Sequence, residues 1–251
     1  MAAIRVAVAG ATGQMGRLAC GAVEGAADLR LVARLGRAEV AEPEPHLRGA
    51  DVLVDFTNPS VTLPLTLSAL SAGVHAVVGT SGWTAAMVNK ARRAQAHAAA
   101  NVLLVPNFAV GSVLLMRLAE LVAPHFPAAE IIELHHDRKA DAPSGTALRT
   151  AERIDAARAA AGRGPQTRRV ESAETVVGVR GGRHGDTRVH AIRLDGLLAH
   201  QEVIFGGPGE TLTLRHDSID RASFMPGVLL AVRRIADLPG LTVGLDAVLG
   251  L

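Results

Sequence analysis

Residues 4–16 read IRVAVAGATGQMG, with β-branched side chains at positions 4, 6 and 8 and glycines at 10, 13 and 16. The first six residues form a strand pattern, and a helical period begins at once over Gln14–Gly25. A strand that stops on glycine and opens a helix three residues later needs a tight turn with bare backbone. Such a turn aims its amides, and the positive end of the helix, at an anion sitting beyond the strand. The spacing GxxGxxG is a variant of the dinucleotide fingerprint, and its place between a first strand and a first helix is the context that gives the motif weight. Gly10, Ala11, Thr12, Gly13, Gln14, Met15 and Gly16 are therefore expected to border a bound dinucleotide.

Working outward, strand and helix signals alternate through the first hundred residues, the signature of a parallel sheet with helices on its faces. Strands are expected over Arg30–Arg34, Asp51–Phe56, His75–Val78 and Val102–Val105, with helices over about Val61–Ala72 and Ala85–Ala100. AEPEPHLRG, between the second and third strands, reads as a proline-broken connection. Ligands on open α/β sheets gather at the carboxyl ends of the strands. Phe56-Thr57, Gly79-Thr80-Ser81 and Pro106-Asn107-Phe108 all follow strands, so they join the expected cofactor site. An NAD-preferring site carries Asp or Glu after the second strand, about 20 residues beyond the turn. Here the chain reads ARLGRAE, with Gly36 between Arg34 and Arg37. Arginine pairs with a 2′-phosphate, so NADPH is the expected cofactor, through Arg37, with NADH as the second choice.

After Phe108 the texture changes. A helix over Val113–Val122, a strand over Ala128–His135 and a helix over Thr146–Gly162 precede β-rich runs at Thr175–Arg180, Val189–Arg193, Gln201–Phe205 and Thr211–His216. Strands in close succession predict a mixed or antiparallel second sheet, and Gly181–Asp186 reads as a loop. Gly227–Ile235 is helical again. The chain divides accordingly. It is α/β, with a Rossmann-like dinucleotide-binding domain over 1–107 and 219–251. An α+β substrate-binding and oligomerisation domain with a mixed sheet covers 108–218.

Composition narrows the functions. Net charge is +2 and aromatics make up 2 %. There is no basic run interleaved with aromatic residues, so nucleic acid is not an expected partner. No apolar run approaches the roughly 18 residues of a membrane span, and the single cysteine, Cys20, fits a reducing compartment; a cytoplasmic location is expected. The absence of tyrosine closes the short-chain dehydrogenase mechanism.

The most charged stretch is Glu133–Ala147, ELHHDRKADAPSGTA. His135 and His136 end a strand and so point in opposite directions. They are adjacent, not four apart on a helix, and no cysteine cluster accompanies them; no metal is expected. Pro143 and Ser144 suit a helix start, where free amides with the hydroxyls of Ser144 and Thr146 suit a carboxylate. Only Lys90 and Lys139 among 26 basic residues are lysine, which singles out Lys139 as a site for a compact ammonium. A histidine near pKa 6.5 is a suitable acid at neutral pH.

GATGQMGR, DFT, GTSG, PNFAVG and ELHHDRKADAPSGTA together resemble the dihydrodipicolinate reductase family, in order and spacing, through essentially the whole chain. That resemblance implies reduction of 4-hydroxy-tetrahydrodipicolinate, a small dicarboxylate of lysine and diaminopimelate biosynthesis. Hydride would add at ring carbon 4, with loss of the hydroxyl as water, and a proton would then be delivered to carbon 3. It also implies His135 as proton donor, Lys139 as its electrostatic partner, substrate contacts from His136, Ser144, Gly145 and Thr146, and a homotetramer. Gln14 departs from the family pattern, where a basic residue often stands. The first hundred residues taken alone also fit another nicotinamide-dependent dehydrogenase or a non-catalytic nucleotide-binding regulator; the central stretch argues against both.

Overall fold

The computed structural model describes residues 2–166 and 174–251 and divides into two units, Met1–Val110 with Arg221–Leu251, and Gly111–Asp220. The first unit begins with β1 (Ile4–Ala9), α1 (Gln14–Glu24), β2 (Leu29–Leu35), α2 (Arg37–Ala41) and α3 (Glu44–Leu47). It continues with β3 (Val52–Asp55), α4 (Thr62–Ser71), β4 (His75–Val78), α5 (Ala85–Gln95) and β5 (Val102–Leu104). The second unit holds α6 (Val110–Val122, its first residue still in the first unit), β6 (Ala128–His135), α7 (Gly145–Ala160), β7 (Gly182–His184), β8 (Thr187–Arg193), β9 (Ala199–Gly207) and β10 (Glu210–Ser218). The chain returns to the first unit with α8 (Met225–Arg234), β11 (Leu241–Val243) and α9 (Asp246–Leu249).

The first unit's sheet has the order β11-β5-β4-β3-β1-β2, and every pairing in it is parallel. β1 is flanked by β2 on one side and β3 on the other, so the connections leave it in opposite directions and a crevice opens beyond β1 and β3. Strands buried on both faces need apolar residues at successive positions; β3 and β4 supply Val52, Leu53, Val54, Ala76, Val77 and Val78, all at most 2 % exposed. Ala7, Ala9 and Leu53 cluster with Leu65, Ala69 and Leu70 of α4 and Ala91 of α5. With few aromatics, small and branched side chains let helix and sheet approach closely.

The second unit's sheet runs β10-β9-β6-β8-β7, with β6 and β8 parallel and the other pairs antiparallel. Ala129 and Ile131 of β6, Val203 and Phe205 of β9 and Val189 of β8 face Leu115 and Ala119 of α6 and Ala147, Ala151 and Ile154 of α7. The period-2 pattern continues to Glu133, which is 0 % exposed on the same face.

Several expectations need correction. Thr175–Arg180 forms turns rather than a strand: Gly178 sits at φ +82, and Val176, Val177 and Val179 are 65 %, 97 % and 61 % exposed, so their β propensity finds no core to pack on. Gly182–His184, inside the run expected as a loop, pairs with β8 as a hairpin. The Ala-rich helix expected through Ala100 stops at Gln95, whose side chain closes the following turn on the Ala100 carbonyl at 3.2 Å, and the chain straightens into β5. The short α2 leads into the proline-broken connection, which itself contains α3, and β11 was not anticipated.

Candidate active site

The turn after β1 is built from backbone alone. Gly13 caps α1 with no side-chain cap, and its own N–H donates to the Gly10 carbonyl at 2.9 Å. Gly10 lies at φ +75, and a Cβ there would stand 2.3 Å from the Phe56 carbonyl oxygen; one on Gly16 would stand 2.1 Å from that of Gly10. Side chains at either position would fill the cradle, so the helix amides stay open toward the crevice. Thr12, Gly13 and Gln14 are exposed, while Ala11 and Gly16 are buried.

The neighbouring strand ends close around the same crevice. Asp55, 0 % exposed, accepts from the Thr57 amide at 2.8 Å and from the hydroxyls of Thr57, Thr62 and Thr80 at 2.6, 2.5 and 3.1 Å. One buried carboxylate thereby fixes the ends of β3 and β4. The rings of Phe56 and Phe108 meet edge to face at 5.5 Å, and a Cβ on Gly79 would clash with both, at 2.4 and 2.7 Å. Gly79 thus lies against both rings; Ser81 is exposed, and the Asn107 side chain accepts from the Ala109 amide at 2.8 Å. At the end of β2, Glu39 accepts from the Gly36 amide at 2.8 Å. A cavity of about 520 Å³ beside the turn is lined by Ala11, Thr12, Arg17, Cys20 and Arg34 among others. Arg34 is held by Glu24 at 2.5 Å, whereas Arg37 is exposed and makes no ion pair among the described residues.

In the second unit, His135 and Glu133 lie two residues apart on β6 and share a face. Nδ1 of His135 lies 2.5 Å from Oε2 of Glu133. Arg193, the register partner of His135 on β8, donates to both carboxylate oxygens, Nη2 to Oε1 at 2.8 Å and Nη1 to Oε2 at 3.1 Å. The Ser144 amide adds a fourth contact, to Oε1 at 3.2 Å. Burial alone pushes the Glu133 carboxyl up, but the hydrogen bonds and charges of His135 and Arg193 outweigh it and hold the group below the usual carboxylate range. Ser144 is buried, and its Oγ caps α7 by accepting from the Ala147 amide at 3.2 Å. A Cβ on Gly145 would meet open space, so the first turn of α7 is unobstructed. Lys139 pairs with Asp141 at 2.7 Å, and the Asp141 carbonyl accepts from Arg193 at 2.7 Å. Nδ1 of His136 and Nε of Arg193 are buried without a hydrogen-bond partner among the described residues.

The sequence singled out the histidines, Lys139 and the start of α7, and the structure gathers them at one end of β6. It missed Glu133 and Arg193. The spacing Glu-x-His within a strand was a usable signal for Glu133. Arg193 is visible only through the parallel β6–β8 register, sixty residues away in sequence.

Among the described residues no three His, Cys, Asp or Glu side chains gather as metal ligands, and no helix is long and apolar enough to cross a membrane. A parallel sheet carrying this glycine turn at its crevice, on one chain with a buried carboxylate–histidine site, defines a Rossmann-type nicotinamide-dependent oxidoreductase. Residues 4–108 match the family described as dihydrodipicolinate reductase, N-terminus, and residues 111–249 its C-terminus. The chain belongs to the dihydrodipicolinate reductase family. It is 51 % identical to a 4-hydroxy-tetrahydrodipicolinate reductase of Nocardia farcinica and 52 % identical to one of Beutenbergia cavernae, each over 99 % of both chains. The dipicolinate-bound dihydrodipicolinate reductase of Paenisporosarcina sp. TG-14 superposes with a TM-score of 0.84 at 34 % identity, covering 98 % of this chain and 99 % of that one.

Proposed function

We propose that this chain is a 4-hydroxy-tetrahydrodipicolinate reductase, acting in lysine and diaminopimelate biosynthesis and preferring NADPH to NADH. One observation carries the reading at the level of residues: the buried Glu133 carboxylate is shared between the His135 ring and the amide that opens α7. A proton donor and an anion seat are thereby fixed to each other, as a reduction that ends in protonation of a dicarboxylate requires.

In this reading, residues 1–107 and 219–251 hold the dinucleotide and residues 108–218 the substrate. The Gly10–Gly16 turn takes the pyrophosphate on the amides of α1, and Arg37 takes the 2′-phosphate. Phe56, Thr57, Gly79, Thr80, Ser81, Pro106, Asn107 and Phe108 border the rest. When bound, the reduced nicotinamide supplies hydride. The first turn of α7, with Gly145 and the Thr146 hydroxyl, seats one carboxylate. The capping role of Ser144 keeps that turn in place. Lys139 balances negative charge near the ring. His136, whose Nδ1 has no hydrogen-bond partner among the described residues, completes its hydrogen bonding on substrate. The carbon 4 hydroxyl leaves with a carbon 3 hydrogen as water, hydride adds at carbon 4, and His135 delivers the proton to carbon 3. Self-association into a homotetramer is supported by the sheet face turned away from α7, where Leu134 pairs with Ile192, itself 41 % exposed.

The test is an assay in which the preceding synthase condenses aspartate semialdehyde with pyruvate and nicotinamide oxidation is followed by absorbance. Turnover is expected with NADPH, and no oxidation of either nucleotide overturns the assignment. His135→Ala should lower kcat about 10²- to 10⁴-fold, the usual contribution of a general acid; an unchanged kcat removes His135 from the mechanism.

A further inference from the structure

We propose that Glu133, clamped by Arg193, is a positioning residue for the proton transfer, holding Nδ1–H of His135 so that the proton delivered to substrate is always the one on Nε2. The inference rests on His135 being the proton donor.

Four contacts at 2.5–3.2 Å surround a carboxylate that is 0 % exposed. An ionised carboxylate in such a place is tolerable only when its oxygens are fully engaged. Oε2 is an acceptor only, so the ring nitrogen facing it must carry hydrogen whether the imidazole is neutral or charged. That leaves Nε2 as the atom that gains and loses the proton. Arg193 has a distinct part. Its two donors keep Glu133 ionised, so the shared proton stays on Nδ1 and does not migrate to the carboxylate. The balance is simple: the imidazolium gives its Nε2 proton to the substrate carbon, becomes the neutral Nδ1–H form, and takes a new proton on Nε2 from solvent.

The neighbouring groups are consistent with this division. From β8 only Arg193 addresses the carboxylate. On the loop after β6, Lys139 is paired with Asp141, whose backbone carbonyl takes another Arg193 donor. From α7 the Ser144 amide contributes partial positive charge, and opposite Glu133 on β9 stands the neutral Gln201, bonded to Thr150 at 2.7 Å. His136 follows His135 directly, one residue beyond the end of β6. A buried pair with no mechanistic part would need only Arg193; the third and fourth contacts bind the carboxylate to the proton donor and to the helix that seats the anion.

Glu133→Gln keeps the volume and removes the charge. It should lower kcat at least tenfold with little change in KM. Combined with His135→Ala it should add almost nothing to the loss from His135→Ala alone. Glu133→Asp should restore part of the rate. In the unaltered protein, nitrogen-15 NMR of the His135 ring should find the neutral form protonated at Nδ1, a measurement that needs no variant to fold. A bare Nδ1, or a Glu133→Gln enzyme with an unchanged kcat, overturns the inference while His135→Ala still lowers turnover. Should His135→Ala retain full activity, it is the donor assignment that fails.

Discussion

Two arginines flank Gly36 at the end of β2, and the structure separates their availability. Arg34 donates to Glu24 at 2.5 Å, so recruiting it for a phosphate would break an existing pair. Arg37, exposed at the first position of α2, has no such commitment among the described residues. Bonds to a charged partner contribute about 1.5–3 kcal/mol, roughly ten- to hundredfold in affinity. Arg37→Ala should therefore raise KM for NADPH by at least about tenfold and leave KM for NADH nearly unchanged; Arg34→Ala should do less. Steady-state titration of both nucleotides against the three proteins decides it, and equal losses with NADPH and NADH would remove the 2′-phosphate from Arg37. At this scale residue type in local order singled out His135 and Lys139, which lie at the end of β6 and just beyond it. Arg193 escaped because an arginine ending a β-rich run looks like any solvated strand end until β6 and β8 are seen to lie side by side.

At the scale of elements, the β1–α1 turn leaves no room for a side chain at Gly10 or Gly16. A methyl group on Gly16 would overlap the Gly10 carbonyl, at 2.1 Å, and its carbonyl carbon, at 2.6 Å, both backbone atoms that cannot step aside. Gly16→Ala should destabilise the first unit by about 1–3 kcal/mol, the usual cost of overpacking. It should also lose the stabilisation a bound nucleotide confers, about 2.7 kcal/mol at a hundred times Kd. Thermal melts with and without NADPH measure both, and a variant that still gains stability from NADPH would show that the turn tolerates the methyl. Glycine spacing made this turn legible, because local sterics alone dictate it. The strands around it were legible for the same reason: their apolar runs sit in a sheet buried on both faces. Where tertiary contacts decide, local reading failed. Ala96–Ala100 has helical composition, but β5 must start at Val102 to pair with β4 and β11. Val176, Val177 and Val179 have strand composition and no sheet to join.

Across the whole molecule, the direction of the buried titrations predicts a protein that weakens as the medium is acidified. Burial holds the imidazoles of His75 in the first unit and His216 in the second below the usual histidine value, and in each case a neighbouring aspartate offsets this only in part. His75 is also fixed as neutral by geometry, its Nδ1 accepting from the Asn101 amide at 2.9 Å. A histidine whose folded pKa is depressed contributes stability in full above its unfolded value of about 6.5. Below that value the unfolded chain takes up the proton first, and stability falls as pH drops toward the folded pKa. The carboxylates act in the same sense at lower pH. Glu133, held low by His135 and Arg193 against its burial, and Asp51, held low by Arg5, contribute stability that is lost only as pH falls through the carboxylate range. Two successive declines should therefore appear, one beginning near neutrality and one in acid. The single tryptophan, Trp83, packs against the core of the first unit, so its fluorescence in urea isolates the unit that contains His75. Between pH 7 and 5 the unfolding free energy it reports should fall, with a slope of at most about 1.4 kcal/mol per pH unit for each histidine concerned. His75→Gln keeps an acceptor for the Asn101 amide but has no proton to take up, so it should flatten that decline while circular dichroism, which also sees the second unit, still registers His216. A His75→Gln protein whose Trp83 transition keeps the original slope would place the first unit's acid sensitivity elsewhere.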